Sequence, residues 1–457
     1  MIKKIKEYFI AKDEYFYKTM FIIALPVVIQ HIISIGLNLV DTVMIGRLGE
    51  DFLAAVGIAN RIYFLFTIFC FGLYSGASVF VSQYWGVKDI KNIRKVFGIE
   101  LTFGIIIAIV TSLLVQLFPH QIMSIFIDEE YVISLGIQYL RIISFSYIVT
   151  AVSFAISFNS RSVHLLKKPT IINAAAISLN TFLNYVLIYG KFGFPSLGVE
   201  GAAYATLIAR SIEFILMVSV IYFDKNHPFS ANFKELTNWG LPMVKRVFRT
   251  SLPVVGNEAA WGIGTTIYYI AYGMIGPEAI AVVQVAFVIS DFFQSVFFGI
   301  GNASAVMVGN EIGREKFDKA YDYSKRFIVI TFSVAIIMSI IYFFSRNIII
   351  AFYGFNAVTS TILNKTIIVS AIFLTPKMLT YLIIVGILRS GGDTKFCLIL
   401  EFICVWAIGI PLSFFSVLVL NLPIHLVLAL VFSEELVRLA VVLKRFESKK
   451  WINNLIT

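Results

Sequence analysis

Leu25-Pro-Val-Val28 opens a stretch that runs to Gly86, and Leu252-Pro-Val-Val255 opens another that runs to Gly313. Set together without a gap, at an offset of 227 residues (252 less 25), they agree at about a quarter of their positions. Gly46 falls on Gly273, Gly49 on Gly276, Gly72 on Gly299 and Gly86 on Gly313. Apolar chains match by chance more often than soluble ones, but runs of Leu and Val do not align glycines and prolines. Two homologous halves of a very hydrophobic chain point to a transporter that opens alternately between pseudo-symmetric lobes.

The composition demands a membrane. The 457 residues are 59% hydrophobic and 14% charged, with a mean hydropathy of +0.87, more apolar surface than a soluble domain carries. Stretches of about twenty apolar residues recur, each long enough to cross a bilayer as a helix. They are Thr19–Met44, Phe52–Gly76, Val96–Leu117, Tyr131–Phe158, Thr170–Gly190 and Gly198–Phe223, then Val247–Gly273, Ala279–Ala305, Phe327–Ser345, Thr361–Leu388, Phe396–Val419 and Leu422–Leu443. The expected fold is an all-α integral membrane protein of about twelve transmembrane helices in two six-helix lobes. The lobes are residues 1–223 and 247–457, joined by a cytoplasmic linker, 224–246. Six spans per half is an even number, so the repeat is parallel, about an axis along the membrane normal.

Basic residues set the orientation. They precede the first span (Lys3, Lys4, Lys6, Lys12, Lys18), fill the linker (Lys225, Lys234, Lys245, Arg246, Arg249), follow the even-numbered spans (Lys88 to Lys95, Arg161 to Lys168, Arg314 to Arg326, Arg389, Lys395) and close the chain (Lys444 to Lys450). The opposite loops hold only Arg47, Lys191, Arg346 and Lys365. Both termini and the linker are therefore expected in the cytoplasm. The net charge of +10 reads as topology signals and anionic-lipid contacts, not nucleic-acid binding. The first eighteen residues are charged and aromatic, with no small-residue cleavage site after the first apolar run. They read as a short interfacial helix, not a cleaved signal. Cys70, Cys397 and Cys404 lie inside spans, an odd set that argues against disulfides and a metal site.

Ionisable groups within spans are the functional candidates, because each costs several kcal/mol unless paired or hydrated. Asp41 leads, in Asn38-Leu-Val-Asp41-Thr42; the alternative is a hydrated carboxylate idling at the outer interface. Asn173, Asn180 and Asn184 form a polar stripe on the fifth span, readable as a site or as interhelical glue. Thr206 adds a hydroxyl beside small residues. One carboxylate, amide oxygens and a hydroxyl suit a small hard cation; the same carboxylate also suits a proton. At the repeat offset Asp41 faces Tyr268. With one residue added, Asn180 faces Ile408 and Asn184 faces Leu412. The second lobe is thus expected to lack the cluster, and scaffold need does not explain it. That lobe carries Glu258, Asp291 and Lys377 as substrate or coupling candidates, with an inert Glu258–Lys377 salt bridge as the alternative. Arg210 and Glu213, and Glu434, Glu435 and Arg438, read as structural pairs.

The run from Leu25 through Asn38-Leu-Val-Asp41-Thr-Val-Met-Ile-Gly46-Arg-Leu-Gly49 resembles the first-span signature of the multidrug and toxic compound extrusion (MATE) family. Leu197-Gly-Val-Glu-Gly-Ala-Ala203 and Leu388-Arg-Ser-Gly-Gly-Asp-Thr394 resemble two further family motifs. The resemblance covers essentially the whole chain. It implies cation-coupled export of amphipathic, often cationic, drugs through a V-shaped pair of lobes. It also implies a first-lobe cation site at Asp41, Asn180, Asn184 and Thr206. Some members have a second acid where this chain has Asn184, so sodium and proton coupling both stay open. Glu258 lacks the acidic tenth-span partner that other members use; here the stretch reads Pro376-Lys377-Met378.

The leading reading is a secondary antiporter of the plasma membrane, acting as a monomer on small organic substrates against Na+ or H+, without a cofactor. The alternative, a flippase of lipid-linked saccharides, calls for many basic residues in a central cavity. Few basic residues lie well inside the spans, namely Arg61, Arg141, Arg210, Lys377 and Arg438. An intramembrane enzyme would show a motif such as His-Glu-x-x-His or Gly-x-Ser-x-Gly, and the sequence has neither.

Overall fold

The computed structural model describes residues 13–224, 226–353 and 355–456. The interfacial helix expected at the start falls mostly outside them, as do Lys3, Lys4, Lys6, Lys12 and Lys225. Within them every regular element is helical, the form that satisfies backbone polar groups without water.

The first half comprises α1 (Glu14–Gly46), α2 (Glu50–Gly86), α3 (Ile90–Leu117), α4 (Pro119–Ser124), α5 (Glu130–Ile143), α6 (Ser146–Ser162), α7 (Lys167–Tyr189) and α8 (Gly198–Phe223). The short α9 (Phe233–Thr237) lies in the linker, closed by a capping box between Asn232 and Glu235. The second half has α10 (Leu241–Gly273), α11 (Pro277–Gly313), α12 (Phe317–Tyr353) and α13 (Ala357–Tyr381). It ends with α14 (Thr394–Phe402), α15 (Ile410–Leu418), α16 (Ile424–Phe432) and α17 (Glu434–Glu447). Two π-helical stretches, Leu382–Leu388 and Ile403–Gly409, widen the tenth and eleventh spans.

Among the described residues nine helices are each long and apolar enough to cross a membrane, and the pair α5–α6, bent by 54°, makes a tenth. The seventh expected span falls on α10, and the twelfth on α16 followed by α17. The fourth, expected as one rod, is broken between Ile143 and Ser146.

The repeat is written into the backbone. Gly49 and Gly276 take φ of 135° and 137°, and Lys88 and Glu315 take 59° and 61°, each pair 227 residues apart. His164 (62°) and Gly392 (75°) match at 228. Such conformations are uncommon for side chains other than glycine, so their recurrence at equivalent positions is not a property of apolar helices.

The chain forms two compact units. One is Ile29–Val81 with Lys88–Ser251; the other is Met1–Val28, Ser82–Val87 and Leu252–Thr457. Both α1 and α10 contribute to each unit, dividing near their internal prolines, Pro26 and Pro253. In the first-named unit Gly76 packs so tightly that a Cβ there would meet Ser251 Cα at 2.4 Å. In the other, a Cβ at Gly86 would lie 2.2 Å from the Asn310 carbonyl oxygen, and one at Gly313 2.0 Å from that of Gln83. Gln83 and Asn310 are themselves 227 residues apart, so the two contacts are the same contact made twice, as a two-fold axis requires.

Candidate functional site

Asp41 lies near the end of α1, half-buried. Thr181 Oγ1 on α7 donates to its Oδ1 at 3.1 Å. Asn184, one turn further along α7 and 3% exposed, also hydrogen-bonds the Asp41 carboxyl. The Asn184 Oδ1 is buried without a hydrogen-bond partner. Asn180 Nδ2 donates to Thr206 Oγ1 on α8 at 3.1 Å, and the Thr206 hydroxyl donates to the Ala202 carbonyl at 3.0 Å. Tyr139 on α5 hydrogen-bonds Thr206 and lies within electrostatic reach of Asp41.

The structure therefore gathers Asp41, Asn180, Asn184 and Thr206 in one unit, as two hydrogen-bonded pairs sharing α7. Two close approaches hold α7 in place. Tyr189 Oη donates to the Met44 carbonyl of α1 at 2.7 Å. Gly201 lets α8 come so near α7 that a Cβ would meet Leu187 O at 2.6 Å, which accounts for a glycine in Leu197-Gly-Val-Glu-Gly-Ala-Ala203. An ionised carboxylate, amide oxygens and a hydroxyl are hard oxygen donors. The orphaned Asn184 oxygen is the kind of group that a small cation completes. Among the described residues no group of three or more His, Cys, Asp or Glu could hold a metal ion, so a cation here relies on neutral oxygens.

The polar chain runs on along α7. Asn173 Oδ1 accepts from Gln30 Nε2 at 3.0 Å, and Asn173 Nδ2 donates to Glu213 Oε1 at 2.9 Å. Arg210 Nη1 bridges to Glu213 Oε2 at 2.7 Å, and Tyr63 hydrogen-bonds Arg210. Asn173 thus serves the Arg210–Glu213 pair, while Asn180 and Asn184 serve Thr206 and Asp41. Sequence reasoning missed Thr181, Tyr63 and Tyr139. Helical threonines usually bond their own backbone, and nothing sets these two tyrosines apart among 21. It also passed over Glu100, fully buried on α3, which accepts a hydrogen bond from Asn159 Nδ2.

In the second half, Glu258 pairs with Arg389, Oε1 to Nη2 at 2.8 Å, and the same Nη2 reaches Asn257 Oδ1. The alternative reading, a Glu258–Lys377 bridge, is not formed: Lys377, half-buried on α13, has no ion pair among the described residues. Asp291 is exposed and accepts from Gln294 Nε2 at 3.5 Å. The structure does not bring these three candidates together. Arg389, counted as a cytoplasmic loop charge, is 4% exposed. The π-helical stretch carries the span through Leu388 and a tight turn, Arg389–Gly391, aims the guanidinium inward. The motif around it is architectural: a Cβ at Gly391 would meet Trp451 O at 1.9 Å, and Asp393 takes two hydrogen bonds from Arg445, at 2.7 and 3.1 Å.

A family model described as MatE matches residues 26–186 and again residues 253–415. The chain belongs to the MatE family. The two matches start 227 residues apart (253 less 26), the offset read from the sequence, so each half of this MatE chain is one copy of the family unit. Relatives matched over most of their length are named as a transporter or as multidrug resistance proteins. The uncharacterized transporter YisQ of Bacillus subtilis is 23% identical over 435 residues, covering 95% of each chain. The probable multidrug resistance protein NorM of Bradyrhizobium diazoefficiens is 27% identical over 406 residues, covering 86% of this chain and 84% of the relative. Among solved structures, a mutant of the Vibrio cholerae MATE transporter VcmN superposes with a TM-score of 0.88 at 15% identity, covering 97% of this chain and 98% of that one. That likeness shows the fold. The MatE chain is a multi-pass membrane protein of a multidrug-efflux transporter family.

Proposed function

We propose that this MatE-family protein exports amphipathic, often cationic, organic compounds in exchange for inward Na+ or H+. Two six-helix lobes, residues 1–223 and 247–457, alternate access about a central cavity, with the linker 224–246 on the cytoplasmic side. The protein works as a monomer in the plasma membrane, with both termini in the cytoplasm.

One observation carries the reading. The one carboxylate in the apolar stretch Thr19–Met44, Asp41, is held by Thr181 and Asn184 next to an amide oxygen that has no partner. In this assignment Asp41 supplies the charge that attracts the cation, and Asn180, Asn184 and Thr206 supply neutral oxygens. A cation drives transport only if it binds one state of the lobes better than the other. Asp41 sits on α1, a helix shared by both compact units, which suits a group whose occupancy must be sensed by both. The few basic residues within spans disfavour the flippase reading.

Dye efflux from everted vesicles, with a sodium gradient or a pH gradient imposed separately, tests export and coupling together. Efflux under one gradient names the ion. No efflux under either, at full abundance, overturns the reading.

A further inference from the structure

Three carboxyl groups in the second half converge on one guanidinium. Arg438 on α17 reaches Glu434 Oε1 at 3.2 Å, Glu435 Oε1 at 3.0 Å and Glu401 Oε1, from α14, at 3.6 Å. All four residues are more than nine-tenths buried. Glu401 Oε1 and Glu435 Oε2 have no hydrogen-bond partner, nor does Arg438 Nε. Tyr268 Oη on α10 donates to Glu434 Oε2 at 3.0 Å. We propose that Glu401, Glu434 and Glu435, around Arg438, form a proton-exchanging site, the second-half counterpart of the Asp41 cluster.

The internal repeat supplies the first argument. At the offset of 228, Glu434 corresponds to Thr206, Arg438 to Arg210 and Glu401 to Asn173; at 227, Tyr268 corresponds to Asp41. Glu401 and Glu434 thus stand where the first half builds its polar chain, while Glu435 stands where the first half has Leu207.

The second argument is charge. Tyr272 on α10, and Cys404 and Cys397 on the eleventh span, also face the cluster, and Glu258 and Arg389 are near enough to act on Glu401. The helices packed against α17 also carry Lys365 and Lys377, on α13, and His425, on α16, and none of these makes an ion pair with the cluster. Four acids then face two guanidiniums inside apolar helices. A surplus of buried negative charge is not tolerated there. Protons shared among carboxyls that interact this closely remove it, and such groups titrate as one unit. A metal ion is the poorer solution, because the guanidinium sits where the cation would.

The third argument is the backbone. The cluster abuts the π-helical stretch Ile403–Gly409, a feature frequent at functional sites. A Cβ at Gly409 would lie 1.9 Å from Tyr268 Oη and 2.1 Å from Glu434 Oε2, so only glycine admits this pair.

The test is an infrared pH titration of the full chain in detergent, in an Asp41→Asn/Glu100→Gln background that removes the other isolated buried acids. The expected result is a protonated-carboxyl band that disappears reversibly as pH rises, and is lost in at least one of Glu401→Gln, Glu434→Gln and Glu435→Gln. Absence of such a band, or its survival in all three variants, overturns the proposal. Should those variants misfold, Tyr268→Phe decides: removing the donor to Glu434 shifts the band's midpoint, and an unchanged midpoint counts against the site. Displacement of the band by Na+ at fixed pH marks a sodium site and overturns the proton assignment. The titration needs neither substrate nor gradient, so its failure is separable from failure of the export reading.

Discussion

In the first half the carboxylate sits on α1, as Asp41, and the matching hydroxyl is Thr206 on α8; in the second half α10 carries the hydroxyl, Tyr268, and α17 the carboxylate, Glu434. The acid has changed helices while the helices have kept their places. Arg210 and Arg438 are likewise equivalent, but Arg210 serves one acid at 2.7 Å and Arg438 serves three. Duplication preserves what the backbone needs, such as Gly49 with Gly276 and Gly86 with Gly313. Buried charge is free to move, provided that each arrangement satisfies itself.

The largest expected effect lies in the first half. Asp41→Asn should abolish coupled efflux while membrane abundance stays near that of the parent. Asn is nearly isosteric, so the loss reports charge and not packing. Dye efflux at matched abundance checks it, and full transport by the variant would return Asp41 to an idle interfacial carboxylate. The comparison also predicts asymmetric stability. Arg438→Ala strands three buried acids and should cost about 3–5 kcal/mol. Arg210→Ala strands only Glu213, beside a guanidinium that is 28% exposed, and should cost roughly 1–3 kcal/mol. Thermal unfolding in detergent ranks the two, and equal losses would break the contrast.

What the sequence revealed follows from what leaves a periodic or aligned trace. Twenty-residue apolar runs and repeated glycines do, so the spans and the duplication were legible. Asp41, Asn180, Asn184 and Thr206 were legible because polar groups stand out on apolar helices. The counterpart in the second half was not. Comparing only the acid and the asparagines finds Tyr268, Ile408 and Leu412, and misses that Thr206 becomes Glu434. Arg389 was misread because a basic residue at the end of a span looks like a topology signal. Its inward turn depends on a π-helical stretch, and six apolar residues in seven, interrupted by Gly386 alone, say nothing about hydrogen-bond register.

A smaller effect sharpens the second half alone. A double-mutant cycle of Glu258→Gln with Arg389→Gln should show a coupling of about 1–3 kcal/mol on thermal stability. Lys377→Ala combined with Glu258→Gln should be additive within about 0.5 kcal/mol. Coupling to Lys377 instead would restore the bridge that the sequence suggested.

The smallest effect tests the symmetry of the backbone itself. Lys88 and Glu315 occupy the left-handed region at 59° and 61°, at equivalent exposed turns. A side chain there costs about 1 kcal/mol, against roughly 0.5 kcal/mol lost to the greater freedom of glycine in the unfolded chain. Lys88→Gly should therefore raise stability by about 0.5 kcal/mol, the difference between these terms. Glu315→Gly should gain less, because Glu315 Oε1 accepts from Asn454 Nδ2 at 3.5 Å and Lys88 has no such contact to lose. Melting temperatures of the two single variants, measured side by side, check both the sign and the order. A loss at Lys88 would mean that the turn is held by its lysine and not merely tolerated, and the two halves would then differ in backbone as well as in charge.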